Sequence, residues 1–308
     1  MGAWSIDVRF YRLSEALQPY FTALYSFDID ARRGGGGLVE DYLHPEWATM
    51  RFSCGEPPAA VIGAGPLAPQ WPFVVSGPTS RAVRFGLSNT RIWGLGLLPA
   101  GWGRYVPASA HLFADRTLDG AASPAFTCFA PLHGLVEGAG GEGRDSTAGR
   151  INDYLMGLQP LPNRQEAAII ACHEASCDPD ICNVAQLAER TGLQPRSLER
   201  LCKRYFGFPP KMVLRRQRFL RSLAQFMSGR RSWSESLDRQ YFDQAHFVRD
   251  FRSFMGMTPS EYAEMPHPVF DRIIVQRLAD QGAAPQTDLP TVLRYSGADE
   301  ARRARAGD

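Results

Sequence analysis

Residues 184–201 read VAQLAERTGLQPRSLERL, and the punctuation of this stretch decides what the second half of the chain is. Val184, Leu187 and Ala188 share one face of a short helix. Gly192 follows, the residue type that adopts the left-handed conformation at a helix end at no steric cost. Pro195 suits the first turn of a new helix, where its missing N–H is harmless. Leu198, Leu201 and Tyr205 give that helix a buried stripe, so Arg196, Ser197, Glu199, Arg200 and Lys203 fall on its other faces. A helix, a tight turn and a second helix with polar residues at its N-terminal end make the helix-turn-helix plan, whose second helix enters the major groove.

Working outward, a second unit is expected downstream. Residues 233–239 form its first helix and residues 243–255 its recognition helix, with Asp243 as N-cap. Phe247, Phe251 and Phe254 supply the buried stripe, which leaves Gln244, His246, Arg249 and Arg252 for DNA. Thr258 caps a closing helix that carries Tyr262. The linking residues 209–228 place Met212, Phe219, Leu220, Leu223 and Met227 at helical spacing, and Arg215, Arg216, Arg218 and Arg221 make the remainder basic. A helix of that length spans ~30 Å, close to the ~34 Å between successive major-groove faces on one side of B-DNA.

Charge is sorted along the 308 residues in the same sense. Residues 181–265 hold 15 Arg and Lys against 8 Asp and Glu, residues 1–180 hold 13 against 18, and residues 266–308 hold 6 against 6. A basic block beside an acidic one points to a nucleic-acid-binding module joined to something else, although a solvated basic surface gives the same balance.

Residues 184–262 resemble the AraC/XylS family of transcription regulators. The resemblance rests on GLQPRSLERL (192–201) running on through GFPPK (207–211), and on DQAHFVRDFR (243–252) running on through GMTPSEY (256–262). With its leading helix it begins near Arg164. One departure is Gln240, where the family usually has Gly. By position, the resemblance implies base-facing roles for Arg196, Glu199 and Arg200 in the first unit and for Gln244, Ala245, His246 and Arg249 in the second. The chemistry agrees for several: Arg pairs with guanine, Gln with adenine, and Glu accepts from cytosine. Lys203, Arg204, Arg215 and Arg252 are better suited to phosphate. A solvated side chain or an intrahelical ion pair, such as Glu199 with Lys203, is the competing reading for each. The resemblance also implies double-stranded DNA as partner, with a small-molecule effector at the front domain, a homodimer and contact with RNA polymerase as further expectations.

The front half is rich in Gly, Pro and aromatics, with β-like runs at 60–62, 73–75, 81–85 and 91–97. Leu13, Leu17, Phe21 and Leu24 suggest a helix over residues 14–25, and Gly-rich loops are read at 33–37 and 138–149. Ser76-Gly77-Pro78-Thr79 and residues 93–102 are similar to a β-rich N-terminal domain found in some of these regulators. Trp71, Phe73, Trp93, Trp102 and Tyr105 are read as core first and as lining of a ligand pocket second. Residues 62–68, IGAGPLA, imitate a dinucleotide fingerprint, but Pro66, Pro69 and Pro72 oppose the helix that motif needs, so a turn is expected.

The fold class expected is α+β with two domains. Residues 1–135 form a β-rich sensing or dimerisation domain, 136–162 a linker with a short helix, 163–265 the double helix-turn-helix, and 266–308 a partly disordered tail with a helix near 269–275. Residues 1–10 lack the apolar core of a signal peptide and no run reaches the length of a membrane span, so a cytoplasmic protein is expected. Cys172, Cys177 and Cys182 lie five apart with His173 beside the first. That spacing is not a zinc pattern, and free thiols are the simpler reading. No catalytic residue, metal or cofactor is expected. A DNA-repair methyltransferase fusion remains as an alternative, although none of the six cysteines stands in a Pro-Cys-His context. A protein-interaction adaptor with a degenerate helix-turn-helix is the other, motivated by Gln240 alone.

Overall fold

The computed structural model describes residues 4–30, 37–139, 143–227, 241 and 243–281. Among these described residues, short segments of alternating burial in the front half form ten strands: β1 (Ser5–Tyr11), β2 (Phe21–Asp30), β3 (Val39–Leu43), β4 (Ala48–Gly55), β5 (Ala59–Ile62), β6 (Ala68–Pro69), β7 (Phe73–Ser76), β8 (Val83–Leu87), β9 (Thr90–Leu97) and β10 (Thr117–Asp119). They pair antiparallel into a six-stranded sheet, β1-β2-β9-β4-β7-β10, and a four-stranded sheet, β3-β8-β5-β6. Because side chains alternate between faces, the large sheet has two buried sides. One sets Val8, Phe27 and Ile92 against Val39, Phe85 and Leu87 of the small sheet. The other carries Phe21, Met50, Val75 and Trp93 into the main core.

The helix expected over residues 14–25 is corrected. A single 3-10 turn (Glu15–Leu17) is followed by β2, which pairs with β1 on one side and β9 on the other. Pro19 has no N–H for a helix, and the aromatic and β-branched run from Phe21 fits a pleated surface flanked by two strands. Leu13, Leu17, Phe21 and Leu24 are buried all the same. At residues 62–68 the chain makes a hairpin turn between β5 and β6, with Gly63 at φ 74° and Gly65 at φ 143°, and no helix follows.

The helices are α1 (Pro99–Tyr105), α2 (Pro131–Glu137), α3 (Arg144–Gly157), α4 (Glu166–Cys177), α5 (Val184–Thr191), α6 (Pro195–Leu201), α7 (Pro210–Met227), α8 (Gln244–Met255), α9 (Pro259–Glu264) and α10 (Phe270–Gln281). Helix α3 starts inside the stretch read as a loop, because Thr147, Ala148, Ile151 and Leu155 give it a buried stripe. Among the described residues no helix is long and apolar enough to cross a membrane.

Front and back are not separate bodies. One core runs from Phe21, Trp93 and Trp102 through Ile169 to Leu187, Leu198 and Phe206. Trp47, in the connection from β3 to β4, is the main peg: its ring meets His173 of α4 at 5.2 Å and Phe206 at 5.7 Å, both edge-on, and the Arg216 guanidinium of α7 lies 3.7 Å above it. Arg216 is 1% exposed and donates to the carbonyls of Glu46 (3.1 Å) and Thr79 (3.2 Å). Phe73, Trp93, Trp102 and Tyr105 are core, as first read, whereas Trp71 is 40% exposed. Cys172 and Cys202 are both fully buried with their sulfurs 3.8 Å apart. The contact with Cys172, together with burial, pushes the Cys202 thiol far up, away from nucleophilic thiolate. Among the described residues no His, Cys, Asp and Glu gather in a metal-holding group.

Candidate nucleic-acid interface

The first unit is capped at each boundary. Asn183 Oδ1 accepts from Gln186 N at 3.0 Å, satisfying one free amide in the first turn of α5, and Gln186 Oε1 accepts from Cys182 N just before the cap at 2.8 Å. Asn183 escaped the sequence reading, although an Asn three residues before a Gln was there as a signal. Gly192 sits at φ 66°, and Leu193 N reaches back to Ala188 O at 3.1 Å, closing α5 and turning the chain. Pro195 opens α6, and Leu198 and Leu201 hold that helix on the core. The turns after Leu201 are wider than an α-helix (Cys202–Phe206), which seats both Tyr205 and Phe206 in the core.

This anchoring leaves Arg196, Glu199, Arg200 and Arg204 exposed and Ser197 and Lys203 half-buried. Glu199 and Lys203 pair at 3.0 Å. The Arg204 guanidinium lies 5.5 Å from the Tyr205 ring centre.

In the second unit Asp243 Oδ1 accepts from His246 N at 2.6 Å and starts α8. Phe247, Phe251 and Phe254 pack on Phe219 of α7. Gln244, Ala245, Arg249 and Arg252 are exposed. His246 and Arg215 are placed differently. His246 Nε2 accepts from Arg218 Nη2 at 3.2 Å, with the ring edge-on to Tyr241. Arg215 Nε donates to Asp250 Oδ1 at 2.7 Å, and its guanidinium lies 4.9 Å from the Phe254 ring centre.

Asp250, which the sequence reading passed over, organises this region. It is 3% exposed, and it also accepts from Arg218 Nη2 and the Tyr241 hydroxyl, both at 3.0 Å. Burial, and then the Asp250 charge, push the Tyr241 phenol well up, so it stays a donor. An acid on the apolar stripe of α8, facing a helix rich in Arg, was the readable signal. The expected helix at 233–239, and Gln240 itself, lie outside the described residues.

Residues 187–265 match the family model described as a helix-turn-helix domain. This part of the chain is an AraC-type helix-turn-helix domain. The match supports a DNA-binding transcription regulator. No curated protein matches the sequence. Among solved structures, ToxT from Vibrio cholerae O395 is 11% identical, with 84% of this chain and 96% of that one covered and a TM-score of 0.40. The same protein bound to (E)-4-(8-methylnaphthalen-1-yl)but-3-enoic acid is 11% identical, with coverage of 84% and 98% and a TM-score of 0.42. The AraC-like transcriptional activator CuxR is 12% identical, with coverage of 71% and 87% and a TM-score of 0.20. Identities and TM-scores this low leave those ligands as properties of those chains.

The AraC-type domain is tied to the β-rich domain at its second unit as well. Ala82 N donates to Phe254 O at the end of α8 (2.7 Å). His44 Nε2 and the Tyr262 hydroxyl share a 2.8 Å hydrogen bond. A pocket of about 160 Å³ opens where the sheets, α7 and α10 meet, lined by Phe10, Thr22, Arg51, Leu220, Phe270 and Arg277 among others.

Proposed function

We propose that this chain reads a specific DNA sequence by placing α6 and α8 in adjacent segments of the major groove. The observation that carries this reading is the pair of exposed polar rows on two helices held by one rigid connector. Arg196 and Arg200 stand on α6, and Gln244, Ala245, Arg249 and Arg252 on α8. Eighteen residues give α7 a length of ~27 Å, comparable to the ~34 Å repeat of the groove along one face of the duplex. Glu199, with Ser197, completes the first reading row; Lys203 and Arg204 hold phosphate. Arg215 and His246 act through α8, which they brace via Asp250 and Arg218. Selection of bound sites from random DNA by the full chain tests the reading: one enriched asymmetric motif supports it.

The pocket at the junction gives the β-rich domain its part. A small molecule entering it touches β1, β2, α7 and α10 at once, so it acts on the connector between the reading helices. Catalysis has no role in this account. Homodimerisation and contact with RNA polymerase complete the regulator, and sedimentation of the full chain with and without operator DNA tests the first.

A further inference from the structure

Beside α6 lies an open cleft of about 640 Å³ with two unlike walls. One is the basic side of the recognition helix and its following turns: Arg196, Arg200, Lys203 and Arg204. Glu199, the acid on this wall, is paired with Lys203 at 3.0 Å. The other wall comes from the β-rich domain: Pro107, Ala108, Ser109 and His111. This second wall is fixed to the helix-turn-helix domain at its base. Ser109 Oγ donates to Lys203 O at 3.4 Å, and His111 Nδ1 lies 3.4 Å from Gly207 O. Gly207, at φ 82°, makes the turn possible, and a Cβ there would come within 3.0 Å of Pro78.

We propose that residues 107–111 of the β-rich domain are the second wall of the DNA interface and grip the phosphodiester strand that borders the groove occupied by α6. The inference rests on the DNA-reading role proposed above. With its side chains an α-helix is about 10–12 Å across, and the major groove is about 12 Å wide. An inserted α6 therefore fills the groove, and a strand of the backbone must run along its flank. The cleft lies on that flank. Its contacts to the second wall are made by the segment after Leu201, past the C-terminal end of α6, which leaves the N-terminal reading end open. The charge fits one occupant. Beyond the Glu199–Lys203 pair, three cations, Arg196, Arg200 and Arg204, face the cleft, and the Ser109 hydroxyl, held to Lys203 O only at 3.4 Å, can turn its proton to a phosphate oxygen.

The test is affinity of the full chain for a random-sequence duplex across a salt series, since backbone contacts are independent of sequence. Pro107→Glu and His111→Glu each put an anion on the second wall. Pro107 and His111 are both exposed, and a melting curve identifies any variant that fails to fold, leaving the other to decide. Leu38→Glu makes the same charge change off the cleft. The inference expects both wall variants to bind roughly tenfold more weakly and to lower the log–log salt slope by about one. It also expects the motif selected from random DNA to be unchanged and Leu38→Glu to stay near the unmodified chain. Wall variants that bind as Leu38→Glu does, or more tightly because the wall obstructs DNA, overturn the inference and leave the reading helices intact. Failure of the unmodified chain to bind any duplex overturns both.

Discussion

Asp41 and His267 face each other at 3.1 Å across 226 residues of chain, and both are buried. His267 Nε2 lies 2.9 Å from Tyr262 O, so each ring nitrogen meets an acceptor and the imidazolium satisfies both. Asp41 Oδ2 also accepts from Val269 N (2.9 Å) and Phe270 N (2.8 Å). A carboxylate on β3 thereby caps α10 from outside that helix. Burial pulls His267 down, but the Asp41 and Tyr262 hydrogen bonds and the charges of Asp41 and Asp271 outweigh it, and the net shift is upward.

The sign of the pH dependence follows. A histidine raised above its usual value of ~6.5 stabilises fully below that pH and loses its contribution as pH rises through the folded-state value. His44 nearby stays neutral, because burial and then the His267 charge disfavour its protonation. Melting temperature should therefore fall as pH rises above ~6.5, and His267→Gln should flatten that slope. An unchanged slope in His267→Gln contradicts the assignment.

On the acid side the sign reverses. Burial lowers His44 to about 3, with the His267 charge adding to the effect, and burial and then Arg216 lower His173 to about 4. Below ~6.5 the unfolded chain takes up these protons and the folded chain does not, so stability falls as pH drops toward those values. His173→Gln should lessen that loss, as read by denaturant midpoints between neutral and acid pH.

Asp250→Asn leaves the guanidinium groups of Arg215 and Arg218 without their carboxylate. Breaking a buried ion pair from one side costs about 3–5 kcal/mol, and the expected readout is a lower denaturant midpoint at an unchanged slope. Because α8 is what Asp250 braces, the selected motif should degrade in one half only.

Trp47→Ala removes the peg between the domains and should cost about 3–5 kcal/mol. The shared core further predicts that the intact chain melts in one transition. Residues 163–308 alone, deprived of Trp47 and Phe21, should bind an apolar-surface dye. Two separate transitions in the intact chain would count against a shared core.

What was legible in the sequence is what local physics writes there. Gly192, Pro195, Asp243 and Thr258 each announce a boundary through their own backbone or capping chemistry, and each stands at that boundary. The strands β5, β7, β8 and β9 were legible because turn residues bracket them. Residues 14–25 were misread because the apolar spacing of Leu17, Phe21 and Leu24 suits either period, and partners on β1 and β9 settled it. The exposure of Arg196, Arg200, Gln244, Ala245, Arg249 and Arg252 was legible from helical position, whereas the protein partners of His246 and Arg215 were not. Nor were the braces behind them: Arg216 meets Thr79 at a separation of 137, and Asp41 meets Phe270 at 229. Contacts at such range leave no periodic trace.

The most direct test is selection of bound sites from random DNA with the full chain, repeated with Arg200→Ala and Arg249→Ala. One asymmetric motif spanning two adjacent major-groove segments is expected. Each variant should relax a different half, at ~1–3 kcal/mol per lost base contact. A motif confined to one segment, or relaxed in the same half by both variants, contradicts the two-helix reading. Binding without any enriched motif contradicts sequence-specific recognition altogether.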